Sequence, residues 1–119
     1  RRADSGEWSP VCGIIDPGEQ PGDAALREVL EEAGVVAVVE RLVGLSVTEP
    51  VVYPNGDVTQ YIDHTFRCRW VSGDPHPADG ENLEAGWFAA DALPRLEGEF
   101  AERVAVALAN EPECRLGRP

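Results

Sequence analysis

From Gly13 to Val35 the chain reads GIIDPGEQPGDAALREVLEEAGV, and no other stretch restricts its fold as much. Residues 16–23, DPGEQPGD, have the Pro and Gly density of a structured loop. Asp23 offers an N-cap and Gly34 a C′ residue, so AALREVLEEA (24–33) is predicted to be a helix of about three turns. At the helical period, Glu28, Glu31 and Glu32 share one sector, while Leu26, Val29, Leu30 and Ala33 gather on the opposite side. One face therefore needs a second layer to cover it. The other stacks like charges, which costs a few tenths of a kcal/mol per pair, roughly, unless something compensates. Either the acids form a solvated face, or they surround a hard divalent cation such as Mg2+ or Mn2+, which takes oxygen ligands.

The remaining chain supplies that second layer. WSPVCGII (8–15) has strand-like residues, and VVAVVERLVGLSVT (35–48) is rich in β-branched residues and reads as strand, with EPVVY (49–53) continuing it or opening another. PNGD (54–57) carries the Asn-Gly pair of a tight hairpin, and VTQYIDHTFRCRWV (58–71) is the return strand. On that strand Val58, Gln60, Ile62, His64, Phe66, Cys68 and Trp70 share a face expected to meet the core. After a loop over 72–82, GWFAA (86–90) reads as a short strand. A last helix near 97–110 follows, with Phe100, Val104, Ala107 and Leu108 at helical spacing. Strands mixed with two helices imply an α/β or α+β layered fold with a mixed sheet. A length of 119 residues fits one domain over 1–119.

Charge narrows the partners. Twenty-two acidic residues against ten basic ones, all of them Arg, leave a net −12. Such a surface repels phosphate backbones and anionic bilayers, so neither a nucleic acid polymer nor a membrane is expected as a partner. A small phosphorylated ligand is compatible if a cation bridges it to the protein. Cys12, Cys68 and Cys114 are odd in number, far apart and form no CxxC pair, which argues against a disulfide framework or a zinc site and reads as a reduced, cytoplasmic protein. The opening RRADSGEW has no apolar stretch of a signal peptide and reads as starting in mid-element, so an N-terminal portion is expected to be missing.

Gly13, Glu19, Arg27, Glu28, Val29, Glu31, Glu32, Gly34 and Val35 stand at the spacing Gly, five residues, Glu, seven residues, Arg-Glu, an aliphatic, one residue, Glu-Glu, one residue, Gly, an aliphatic. This resembles the signature box of the Nudix hydrolases, complete over residues 13–35. With seven fixed positions, a chance match is on the order of one in 10⁸ per starting point. RRADSGEW resembles the end of the family's first strand and its Trp-containing approach to the box, and ENLEAGWFAADALP its late acidic segment, which implies that the N-terminal strand preceding Arg1 is missing. Departures are small: Cys12 stands where many members have a second Gly, and Asp16 where many have Glu.

The resemblance implies an α/β/α sandwich and Mg2+-dependent hydrolysis of a nucleoside diphosphate linked to a group X, with Mn2+ as a possible substitute. It implies Glu28, Glu31 and Glu32 as metal ligands, with the Gly13 carbonyl as a possible further one. A helix glutamate or a later acid would take the proton from water, and Glu81 is favoured over Glu84 for that later role. Glu19 would support the loop, and Arg27 would orient a glutamate or form a plain surface ion pair. Pro50 matches a marker of ADP-ribose-type members and Tyr53 one of dinucleoside-polyphosphate members, so the substrate stays open. Trp8, Tyr53 and Tyr61 are candidates for base stacking, or packing aromatics. His64 and His76 are read as structural, and Cys12 could line the site but has nothing paired with it as a nucleophile system. The family often dimerises, which leaves a homodimer open. The competing readings are a catalytically silent nucleotide-binding or sensor domain and, less supported, an isomerase on the same scaffold.

Overall fold

Pro21, not Asp23, opens the first helix. In the computed structural model, which describes residues 1–118, helix α1 spans Pro21–Ala33 with Gln20 as N-cap and no side-chain capping bond. The expected Asp23 cap is corrected by proline itself: its fixed φ and missing N–H suit the first helical position, which moves the start three residues upstream and leaves Asp23 in the first turn. The predicted stop holds. Gly34 adopts φ 68°, and its N–H donates to the Leu30 carbonyl at 3.0 Å.

Strand β1 (Val36–Val47) follows at once and pairs antiparallel with β4 (Ile62–Ser72), while β5 (Arg115–Leu116) adds to β1 in parallel, giving the sheet order β4-β1-β5. The sheet is mixed, as expected, although β5 was not foreseen. Between the long strands, β2 (Val51–Val52) and β3 (Val58–Thr59) make a separate two-stranded hairpin across the Asn-Gly turn. The single return strand expected over 58–71 is therefore broken at Gln60 and Tyr61. Buried Thr48 explains the break: its N–H donates to the Tyr61 carbonyl at 2.9 Å, its hydroxyl accepts the Tyr61 N–H at 3.0 Å, and the Gln60 amide donates to its carbonyl. Only His64, Phe66 and Cys68 of the expected face are half-buried, because register irregularities interrupt the alternation and Val58, Ile62 and Trp70 lie at the exposed ends.

Helix α2 (Gly98–Ala109) packs, like α1, on β1 and β4. Ala24 and Ala33 of α1, Val35 just beyond it and Val43 of β1 are buried where helix and sheet meet. The stretches 8–15 and 86–90, expected as strands, carry no ladder; their side chains instead meet each other, Trp8 standing edge-on to Phe88 with ring centroids 5.0 Å apart. Arg2 forms an isolated antiparallel bridge with Asn82, flanked by the Leu83 N–H donating to the Arg1 carbonyl and the Ala3 N–H to that of Glu81. That bridge fixes the backbone that carries Glu81.

Candidate active site

Arg27 organises the front of α1. Its Nε donates to Glu19 Oε2 at 2.8 Å and its Nη2 to Glu19 Oε1 at 3.0 Å, a bidentate pair, while Nη1 reaches Glu28 at 2.8 Å and Glu31 at 3.1 Å and Nη2 also bonds the Ile14 carbonyl. Glu19 further accepts the Asp16 N–H. The guanidinium, with help from that N–H, lowers the Glu19 carboxyl below its usual range. Loop and helix are thereby tied together by one cation.

Gly13 lies against Glu28. A Cβ on Gly13 would sit 2.1 Å from Glu28 Cδ, closer than any contact allows, so glycine at this position leaves the room that the Glu28 side chain occupies. Glu19 and Glu28 are mostly covered, whereas Glu31 is exposed.

Glu32 faces elsewhere. One carboxylate oxygen from each of Glu32, Asp79 and Glu81 lies within 4.8 Å of the other two. Partial burial, then the neighbouring charges of Glu28, Asp79 and Glu81, push the Glu32 carboxyl up to about 7. Among the described residues no Arg pairs with any of the three acids. Three mutually close oxygen donors of this kind fit a hard divalent cation of the Mg2+ or Mn2+ type.

The second pair of acids arrives by way of the loop after β4. The His76 N–H donates to the Ala33 carbonyl at 3.0 Å and the Ala78 N–H to the Glu32 carbonyl at 3.2 Å, so carbonyls left open at the end of α1 bind the loop. The His76 ring rests over Gly34, where a Cβ would come within 2.1 Å of its Cε1. His76 Nδ1–H donates to the Asp74 carbonyl.

Of the residues the sequence singled out, Glu32 and Glu81 meet. Glu28, Glu31, Glu19 and Arg27 form an adjoining network beside Gly13, and Glu28 and Glu31 do not join the Glu32 group. Glu84 lies by Arg1 instead. Asp79 was missed; the only clue to it was that the Glu32 and Ala33 carbonyls needed donors from a later segment. A cavity of about 740 Å³, lined by Glu32, Glu81, Arg2, Trp8, Trp87 and Phe88 among others, opens beside the carboxylates and is in the range of small-ligand sites. Trp8 lines it, while Tyr53 and Tyr61, whose hydroxyls bond each other, do not. Burial pushes the Cys12 thiol up, which makes it a poor nucleophile and leaves the isomerase reading unsupported. Among the described residues no helix is long and apolar enough to cross a membrane.

Known proteins resemble this chain over most of its length. The family model described as NUDIX domain matches residues 1–109. The chain is 34% identical over 91 residues to the NAD-capped RNA hydrolase NudC of Chromobacterium violaceum, covering 76% of this chain and 31% of that protein. It is 31% identical over 109 residues to a MutT-like protein of Streptomyces ambofaciens, covering 91% and 65%. Over 97 residues it is 34% identical to the 8-oxo-dGDP phosphatase NUDT18 of Mus musculus, covering 79% and 27%. The chain thus spans less than two thirds of the length of each of these relatives.

Proposed function

The chain belongs to the NUDIX domain family, and on that premise we propose that it hydrolyses the pyrophosphate linkage of a nucleoside diphosphate joined to a group X, with Mg2+ required and Mn2+ as a substitute. The observation that carries this reading is the meeting of Glu32, from the helix of the signature box, with Glu81 from a distant loop. Carboxylates alone repel a pyrophosphate; a divalent ion bound among them would supply neutralisation of phosphate oxygens, a lowered pKa for water and alignment of the reactants. Glu32 would hold that ion, joined by Glu28 and Glu31 from the adjoining network once they exchange Arg27 for the metal, with the carbonyl of Gly13 as a further ligand. Glu81 accepts the proton of the attacking water. Arg27 and Glu19 keep Glu28 in place through charge-assisted bonds.

Beside these acids the 740 Å³ cavity takes the nucleoside, with Trp8 offering a stacking face. The relatives' names point to NAD-capped RNA in one case and 8-oxo-dGDP in another. A net charge of −12 favours a free nucleotide over a capped RNA, whose backbone the surface repels. Three free cysteines suit a reducing compartment, and the cytoplasm is the place proposed for the reaction.

The test is a hydrolysis panel at pH 8 with Mg2+: nucleoside triphosphates, 8-oxo-dGDP, ADP-ribose, dinucleoside polyphosphates, NAD and NAD-capped RNA, with products identified. A free nucleotide is expected to be cut, and Glu32→Gln to lower the rate by orders of magnitude. If no member yields a phosphate-containing product while some raise the melting temperature, the domain is a nucleotide sensor instead.

A further inference from the structure

We propose that Asn82 reads the base of the nucleotide, so that the cavity beside the acids selects adenine over guanine. This rests on the nucleotide-hydrolase reading above and deepens it by naming the base.

Backbone pairing sets where Asn82 stands. The Ala3 N–H donates to the Glu81 carbonyl and the Leu83 N–H to the Arg1 carbonyl, so Arg2 and Asn82 face each other as the non-hydrogen-bonded pair of an antiparallel bridge. In such a pair the two side chains share a face, with Cβ atoms about 4.5–5.5 Å apart. Both line the 740 Å³ cavity, as do Trp8 and Phe88. Phe88, edge-on to Trp8 at 5.0 Å, steadies the indole as a stacking platform. Stacking accepts any base, because every base has a π-face. Choice among bases needs hydrogen bonds at a base edge.

Arg2 and Asn82 are the adjacent candidates for that edge, and only one of them is free. An arginine fork suits guanine, whose N7 and O6 both accept. In Arg2 the fork is taken: Nε donates to Asp4 Oδ1 at 3.0 Å and Nη2 to Asp4 Oδ2 at 2.8 Å. The half-buried Asn82 carboxamide has no hydrogen-bond partner among the described residues, and none of its polar atoms is sealed from solvent. Its donor and acceptor lie side by side, the complement of adenine, which presents the N6 amino donor next to the N7 acceptor. Guanine in the same place sets an acceptor against the Asn82 carbonyl.

The experiment titrates the whole chain with AMP and with GMP in Mg2+ by calorimetry, so that binding is read apart from hydrolysis. The parent is expected to bind AMP at least about fivefold more tightly than GMP, the lower end of what a bidentate base contact is worth. Asn82→Leu, close in size and without the amide, should weaken AMP to the level of GMP while GMP stays within twofold of its parent value. Asn82→Asp, which keeps the shape and removes the donor, should bring the AMP-to-GMP preference to one or below. Trp8→Leu should weaken both nucleotides together and keep their ratio. A parent that binds AMP and GMP within twofold of each other, or a preference that survives in both Asn82 variants, overturns the inference. A chain that cuts nucleotides without the preference loses this inference and keeps the proposed function; one that neither binds nor cuts them loses both.

Discussion

In the absence of metal, Glu32 is a source of instability, and removing its charge should strengthen the fold. Its carboxyl is raised from 4.5 to about 7 by partial burial and by Glu28, Asp79 and Glu81. Between those two values the folded chain binds more protons than the unfolded one, so stability falls as pH rises through that window. At about 1.4 kcal/mol per pH unit, the ceiling of the effect is roughly 3 kcal/mol. Glu32 is only partly buried, and solvent screening reduces this to about 1 kcal/mol. With about 2.1 cal/mol/K of unfolding entropy per residue, that corresponds to about 4 °C in melting temperature for a chain of this length. The assay is thermal unfolding of the parent and Glu32→Gln in EDTA from pH 5 to 8. Glu32→Gln is expected to melt about 4 °C higher at pH 8, with the gap mostly closed at pH 5, where the parent carboxyl is protonated when folded. Adding Mg2+ at pH 8 should reverse the order by stabilising the parent alone. A variant no more stable than the parent at pH 8, or a gap independent of pH, refutes the reasoning.

Three further outcomes follow from the geometry. Gly34→Ala places a side chain at φ 68° and against the His76 ring; it should cost about 1–2 kcal/mol and lower the melting temperature by roughly 4–8 °C in calorimetry. Gly13→Ala displaces Glu28 rather than the backbone, so turnover with Mg2+ should drop at least tenfold while circular dichroism stays unchanged. Arg27→Lys keeps the charge but loses the fork that holds both Glu19 oxygens and Glu28 together; its hydrolysis rate should resemble that of Arg27→Met, and a Lys variant within twofold of the parent would reduce Arg27 to a point charge.

Helix α1 and the network on its front were legible because they are local: helical period fixes which glutamates share a face, and Gly34 marks the stop in one letter. The start was misplaced because Asp23 and Pro21 both signal a helix opening, and the proline's constraint on φ prevailed. Strands at 8–15 and 86–90 were expected from residue type alone, but a ladder needs a partner backbone, and composition does not say whether one arrives. The same limit hid the break at Gln60 and Tyr61, which depends on Thr48 reaching across from the end of β1. In the candidate site Glu81 was found through its resemblance to a family segment. Asp79 had no such marker, and its approach to Glu32 is decided by two backbone bonds between residues more than forty positions apart.

Those two bonds join events that are separate in most helices. The last turn of a helix ordinarily frays on its own, since water takes over its open carbonyls at little cost. Here the carbonyls of Glu32 and Ala33 are occupied by the N–H groups of Ala78 and His76, so α1 does not open at this end without letting go of the loop. In hydrogen exchange the amides of His76 and Ala78 should therefore share the protection of the helix, and a loop that looks peripheral in the chain belongs to the same cooperative unit as the glutamates.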